Sequence, residues 1–340
     1  MTPALVAPLR QPRLVRWLTV WVPLASIAIA LVVAARPSWW FAVIAVDLWF
    51  LSFPHVASTF SRTAFRAADR SEHRWILTRL PWIALAGCAT VTALFGASVL
   101  NGLYLFWQTF HYARQARGMH RALRHAHEQP PHDLLGDLTL YGVALWALSR
   151  RLVQHPRTFL GVEIALPRVS SAVAVALALV AAALFAAFVL RMLRDAVREG
   201  SAFEPASRVF VLTQVVVFVV SYVIIESPTI GWLAVNIAHN AQYLLFVYAW
   251  NKRRFAGEPQ DSAGALARLI EPRRGWLFYA VFAAIGAVMY GAAALIADVS
   301  YAAWGLTVTY LVLVQALNVH HYVADQLLWR APKRSVTVAR

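Results

Sequence analysis

Apolar residues run through this chain in stretches about as long as a bilayer is thick, about 20 residues for a helix. Ten such runs stand out, at 17–35, 39–58, 80–100, 103–112, 138–148, 169–190, 209–225, 231–250, 277–297 and 302–322. The fourth and fifth are short, and the fourth extends through a polar face at 108–115 as one continuous helix. None of the runs alternates with the period of two that a membrane strand needs. The pattern predicts an all-α fold: a polytopic integral membrane helical bundle of about ten transmembrane helices, arranged as hairpins in one domain, 1–340. Turn chemistry places the outer connections at Asn101–Gly102, Ser227–Ile230 and Asp298–Tyr301.

Composition agrees. Of the 340 residues, 60% are hydrophobic and 14% charged, and the mean hydropathy is +0.58. A soluble domain carries about 45–50% apolar and about 25% charged residues. Charge then sets the orientation. With the N-terminus inside, the inner pieces 1–16, 59–79, 113–137, 191–208, 251–274 and 323–340 hold 26 of the 31 Lys and Arg residues. The outer side holds Arg36, Arg150, Arg151, Arg157 and Arg168. This is the positive-inside asymmetry. It predicts cytoplasmic termini in a bacterial-type inner membrane and basic cytoplasmic loops at 113–137 and 251–274. The net charge of +15 is read as loop arginines facing anionic lipid, with no nucleic-acid partner. One cysteine, Cys88, excludes an intrachain disulfide and a thiolate metal site.

Polar residues inside such runs are costly and functional by default. Four runs share one polar spacing. Asn318, His321 and Asp325 lie at i, i+3 and i+7, on one helical face. Gln108, His111 and Gln115 repeat this, as do Asn236, His239 and Tyr243, with Ser52, His55 and Thr59 as a hydroxyl version. All four histidines fall on helices returning to the inner face. The expected metal ligands are His55, His111, His239 and His321, with His320 beside them. Gln108, Asn236 and Asn318 are candidate partners for the outer ring N–H of each imidazole. Asp325, Gln115 and Tyr243 are expected to tune the metal or position O2 and substrate. Asp47 is rotated away from this face, and Asp137 is a reserve carboxylate. His120, His125, His127 and His132 form a second group, read as a solvated basic linker with metal uptake as the alternative. Neutral imidazoles without thiolates suit iron, zinc, copper or manganese.

Phe53-Pro54-His55 ending an early span, Phe110-His111 in a middle one and His-x-x-x-polar faces in late ones resemble the bacterial and archaeal membrane β-carotene-cleaving dioxygenases. The resemblance covers a few short motifs. It maps onto His55, His111 and His239, and more loosely onto His321. It implies a multi-span protein that holds non-haem iron on several histidines and cleaves a polyene with O2. The expected function is thus a non-haem iron (Fe2+) oxygenase acting on a lipophilic substrate reached from the lipid bilayer. Two alternatives use the same residues: a haem b electron-transfer protein, and a non-enzymatic transporter, sensor or metal-handling protein.

Overall fold

The computed structural model describes residues 7–130, 132–199, 205–254, 269, 275–299 and 306–328. Most of the expected 251–274 loop, residues 302–305 of the last run and the tail from 329 lie outside the described residues. Each of the ten apolar runs is mostly helical where described, the breaks being at Gly96, 169–170 and Ile225. The helices are α1 Pro12–Ala35, α2 Pro37–Arg62, α3 Leu80–Phe95, α4 Ala97–Ala126, α5 Leu134–Gln154, α6 Ser171–Glu199, α7 Ala206–Ile224, α8 Pro228–Arg254, α9 Gly275–Val299 and α10 Leu306–Leu328.

Five of these helices, α1, α2, α6, α7 and α9, are long and apolar enough to cross a membrane. The helices α4, α8 and α10 carry the amides and imidazoles singled out above, and that polar content lowers their hydropathy. The burial pattern is inside-out relative to a soluble protein. Asp47, Gln108, Asn236, His239, Gln242 and Asp325 are buried, while Phe41 and Leu179 stand outward at 80% and 67% exposure. Apolar skin over a polar interior is what a hydrocarbon solvent selects.

Two expectations about loops are corrected. The turn between the third and fourth runs is at Gly96, not at Asn101–Gly102. Gly96 adopts φ +89°, which suits glycine, and α4 starts at the next residue. Asn101 instead lies within α4, and its Nδ2 reaches the carbonyls of Phe159, Val162 and Glu163 at 3.2, 3.3 and 3.3 Å. It thereby pins a small antiparallel hairpin, β1 Thr158–Phe159 and β2 Val162–Glu163. The stretch 113–126, the first part of the basic inner piece 113–137, continues α4 as one helix, in line with the helix expected to run on past His111. Its Ala113, Ala116, Met119 and Leu123 are buried. There His120 is no solvated linker residue. Its Nδ1 lies 3.0 Å from the Ser207 carbonyl and its Nε2 lies 3.3 Å from Asp133 Oδ2, tying α4 to the starts of α7 and α5.

The bundle turns around α8, which is buried without interruption from Gly231 to Asn240. α1, α2, α4 and α7 pack on it, and α9 covers the other side of α2. α2 and α9 approach closely at Gly286. A Cβ there would sit 2.6 Å from the backbone carbonyl of Phe53.

Side-chain ties group the helix ends into two faces. Arg10 donates to the Ala126 carbonyl, Arg62 to the Leu328 carbonyl, and Arg254 pairs with Asp69. The start of α1 and the ends of α2, α4, α8 and α10 therefore share one arginine-rich face. On the opposite face Arg151, expected in the outer connection after the fifth run, lies within α5 and is 1% exposed. Its guanidinium donates to the carbonyls of Ser221, Ile225 and Glu226 at 2.6–2.7 Å, which α7 leaves unpaired where it ends.

Candidate metal centre

His55 owes its position to an irregular stretch of α2. Pro54 cannot donate to the carbonyl of Phe50, four residues earlier. The helix opens into a π turn at Leu48–Ser52, and the freed Phe50 carbonyl accepts a hydrogen bond from Tyr279 of α9. His111, His239 and His321 sit on regular helix.

The four imidazoles converge. One ring nitrogen each from His55, His111 and His239 lies within 4.8 Å of the others, all buried. Nε2 of His321 lies 2.8 Å from Nε2 of His55. Ring centroids are 4.6 Å apart for His55–His321, 4.7 Å for His55–His239, 4.9 Å for His111–His239 and 5.1 Å for His111–His321. Imidazole nitrogens bind zinc-like ions at about 2.0–2.1 Å, so tetrahedral ligands stand about 3.4 Å apart. To share one ion, His55 and His321 would have to part slightly, while His55, His111 and His239, within 4.8 Å of one another, would have to draw closer. His111 Nε2 and His55 Nδ1 are buried with no hydrogen-bond partner among the described residues. Such orphaned nitrogens are costly in a dry interior unless something binds them. An all-nitrogen set of four fits a borderline ion such as iron or zinc.

His320 is the correction within the expected ligand set. Its Nε2 faces the Ile76 carbonyl at 2.9 Å and its ring stacks on Phe60. Successive helical residues point about 100° apart, so His320 and His321 cannot both face the centre.

The expected orienting amides also behave differently. Gln108 donates to Tyr104 at 2.7 Å, and Asn236 donates to Asp47 at 2.6 Å and Ser52 at 3.0 Å. Asn318 accepts from Tyr290 at 2.9 Å. A residue one turn along the same helix stacks above a histidine and does not reach its outer edge. The partner that does reach His321 comes from another helix: Thr59 Oγ1 lies 2.7 Å from its Nδ1. From Thr59 the contacts run 3.3 Å to the Tyr243 hydroxyl, which donates to Asp325 Oδ1 at 2.8 Å. Arg62 lies 3.9 Å beyond. Asp325 thus closes a polar chain behind His321. Gln115 donates to the His239 carbonyl at 3.2 Å. Tyr243 packs 4.3 Å from the His55 ring and Tyr322 stacks 4.2 Å from His111. Asp137 is held by Arg117 and Arg121, away from the centre.

Sequence reasoning passed over Tyr104, Trp232 and Asn240. Together with the histidines these residues line a cavity of about 420 Å³. α2, α4, α8 and α10 supply most of its wall, and because their ends share the arginine-rich face, the four helices run in the same direction around it. The hairpin at Phe159–Val162 covers one end, and His55, His239 and His321 lie at the other. Trp40, Ile44, Phe53, Tyr290, Leu311 and Val314 supply apolar wall. A volume in this range suits a small organic ligand.

No protein-family model, curated protein or solved structure matches the chain. The family resemblance therefore rests on the short histidine motifs themselves.

Proposed function

We propose that this chain is a multi-pass inner-membrane protein of about ten spans, with the arginine-rich face and both termini cytoplasmic. Its four-histidine centre would hold non-haem ferrous iron and oxygenate a lipophilic substrate with O2. The observation that carries this reading is the convergence of imidazoles from four helices at one end of a largely apolar cavity. Separate helices bringing neutral donors together, with His111 Nε2 buried and unpaired among the described residues, support reading them as a ligand set.

His55, His111, His239 and His321 would hold the ion, which when bound supplies the binding and activation of O2. Thr59 keeps Nδ1 of His321 engaged, leaving Nε2 for the ion; this tautomer is an inference from the contacts. Tyr243 and Tyr322 wedge the rings of His55 and His111. The aromatic wall keeps water from the reacting groups. Dioxygenative cleavage of an alkene balances without an outside reductant: the C=C bond and the O–O bond break, and each carbon gains one oxygen as a carbonyl. The close approach of the four rings leaves no slot for a porphyrin between them, which favours a bare ion over haem b.

The test is metal analysis and a visible spectrum of detergent-purified protein, beside a His55→Ala/His111→Ala double variant. About one iron per chain, no Soret band and loss of iron in the double variant is the expected result. A Soret band would replace the reading with the haem one. Absence of metal after reconstitution with ferrous iron would leave a transporter or sensor. Screening polyenes with isotopically labelled O2 then tests whether both atoms enter the products.

A further inference from the structure

The cavity wall is not uniformly greasy. One helical turn before each histidine stands a polar residue: Ser52 before His55, Gln108 before His111, Asn236 before His239 and Asn318 before His321, all lining the same cavity. Hydrogen bonds to neighbouring side chains occupy Ser52, Asn236 and Asn318. Asn236 and Ser52 are tied to each other, and Asn236 also to Asp47 and Tyr112. Asn318 is held by Tyr290 and Gln315. Gln108 differs. It is 1% exposed and its Nε2 donates to the Tyr104 hydroxyl at 2.7 Å, but its Oε1 is buried without a partner. Exchanging amide oxygen and nitrogen leaves the other edge of the same group unpaired, so the vacancy does not depend on that assignment.

Gln108 lines the cavity, and its buried amide edge is satisfied, once the side chain turns toward the cavity, by a ligand that brings a hydrogen-bonding group; a pure hydrocarbon cannot do so. Three residues of helix rise amount to about 4.5 Å, so that group would sit about one turn from the plane of the histidines. Beyond this polar tier the wall is largely apolar, and at Phe41, which is 80% exposed, and Tyr310, which is 37% exposed, it reaches the outer surface of the bundle.

We propose that the ligand of this cavity is an amphipathic lipid, a hydrocarbon chain or ring carrying a hydroxyl or comparable hydrogen-bonding group that Gln108 receives, and that Gln108 discriminates it from the parent hydrocarbon. This deepens the functional reading above and rests on the cavity being its substrate site.

The test uses the full chain in lipid nanodiscs with two radiolabelled isoprenoids, farnesol and farnesene, one bearing a hydroxyl and one not. Binding is referred to partition into empty nanodiscs, which removes the difference in bulk lipid solubility. One hydrogen bond is worth about 1 kcal/mol net, so farnesol is expected to bind roughly fivefold more tightly. In Gln108→Leu the preference is lost because farnesol weakens while farnesene does not. Equal binding of the two probes, a preference that survives in Gln108→Leu, or binding of neither probe overturns the proposal. Elution position on gel filtration confirms that the variant is folded. Iron content in the same samples separates the two readings. Iron-free protein that keeps the farnesol preference sinks the oxygenase and spares this site, whereas iron-loaded protein without a preference does the reverse.

Discussion

Oγ1 of Thr59 lies 2.7 Å from Nδ1 of His321, on a helix 262 residues earlier in the chain. That contact ties α2 to α10 behind the centre and selects which imidazole nitrogen faces His55. Loss of such an outer partner typically costs about 10–100-fold in metal affinity. Thr59→Val keeps the shape of the side chain and is expected to weaken iron binding by about that factor. Competition with a chelator of known affinity measures it. Unchanged affinity would mean that packing alone holds His321.

The two adjacent histidines of α10 make opposite predictions. His321→Ala should lose bound iron, as His111→Ala should, with the fold retained. His320→Ala should keep its iron and lose only the contact with the Ile76 carbonyl, about 1 kcal/mol. Metal analysis on the three variants distinguishes them. Loss of iron in His320→Ala alone would require a different ligand set.

Gly286 tests how α9 supports the centre. A Cβ at this position meets the carbonyl carbon and oxygen of Phe53 at 2.6 Å, and Phe53 is two residues from His55. Gly286→Ala is expected to destabilise the α2–α9 contact by about 1–3 kcal/mol. It should also lower iron occupancy, since α2 must move. Thermal unfolding followed in detergent, with iron content before heating, reads both effects.

Outside the spans, Asp133 governs an acid-sensitive joint. Burial by itself raises this carboxyl. Contact with His120, paired bonds from Arg191 at 2.8 Å and the Gly136 amide outweigh burial and hold it well below the ordinary value of 3.8. A depressed carboxylate contributes stability that is fully present above its unfolded value and is lost as pH falls through the folded one. Asp133→Asn should therefore unfold more easily than the native chain at neutral pH. The difference in unfolding midpoint should narrow as the pH is lowered below 3.8. A gap that stays constant down to acid pH would assign the effect to packing.

Helix periodicity is a local property, and what depends on it was legible along the chain. Each of the ten apolar runs is mostly helical where described. The shared spacing around His55, His111, His239 and His321 marked four faces that do meet, because residues three and seven apart lie on one face whatever the neighbouring helix is. Contacts between helices were decided only by the tertiary structure. Nothing local says that His321 faces the centre while His320 turns to Ile76, or that Thr59 and not Asn318 holds the ring. Arg151 reads as an outer-loop charge until the end of α7 offers it three carbonyls. Gln108 reads as a partner for His111 until Tyr104 takes one edge of its amide and the cavity leaves the other free. A residue's angular position follows from counting along its own helix, but what it touches depends on how neighbouring helices are rotated and stacked, and that is settled by packing across the whole bundle.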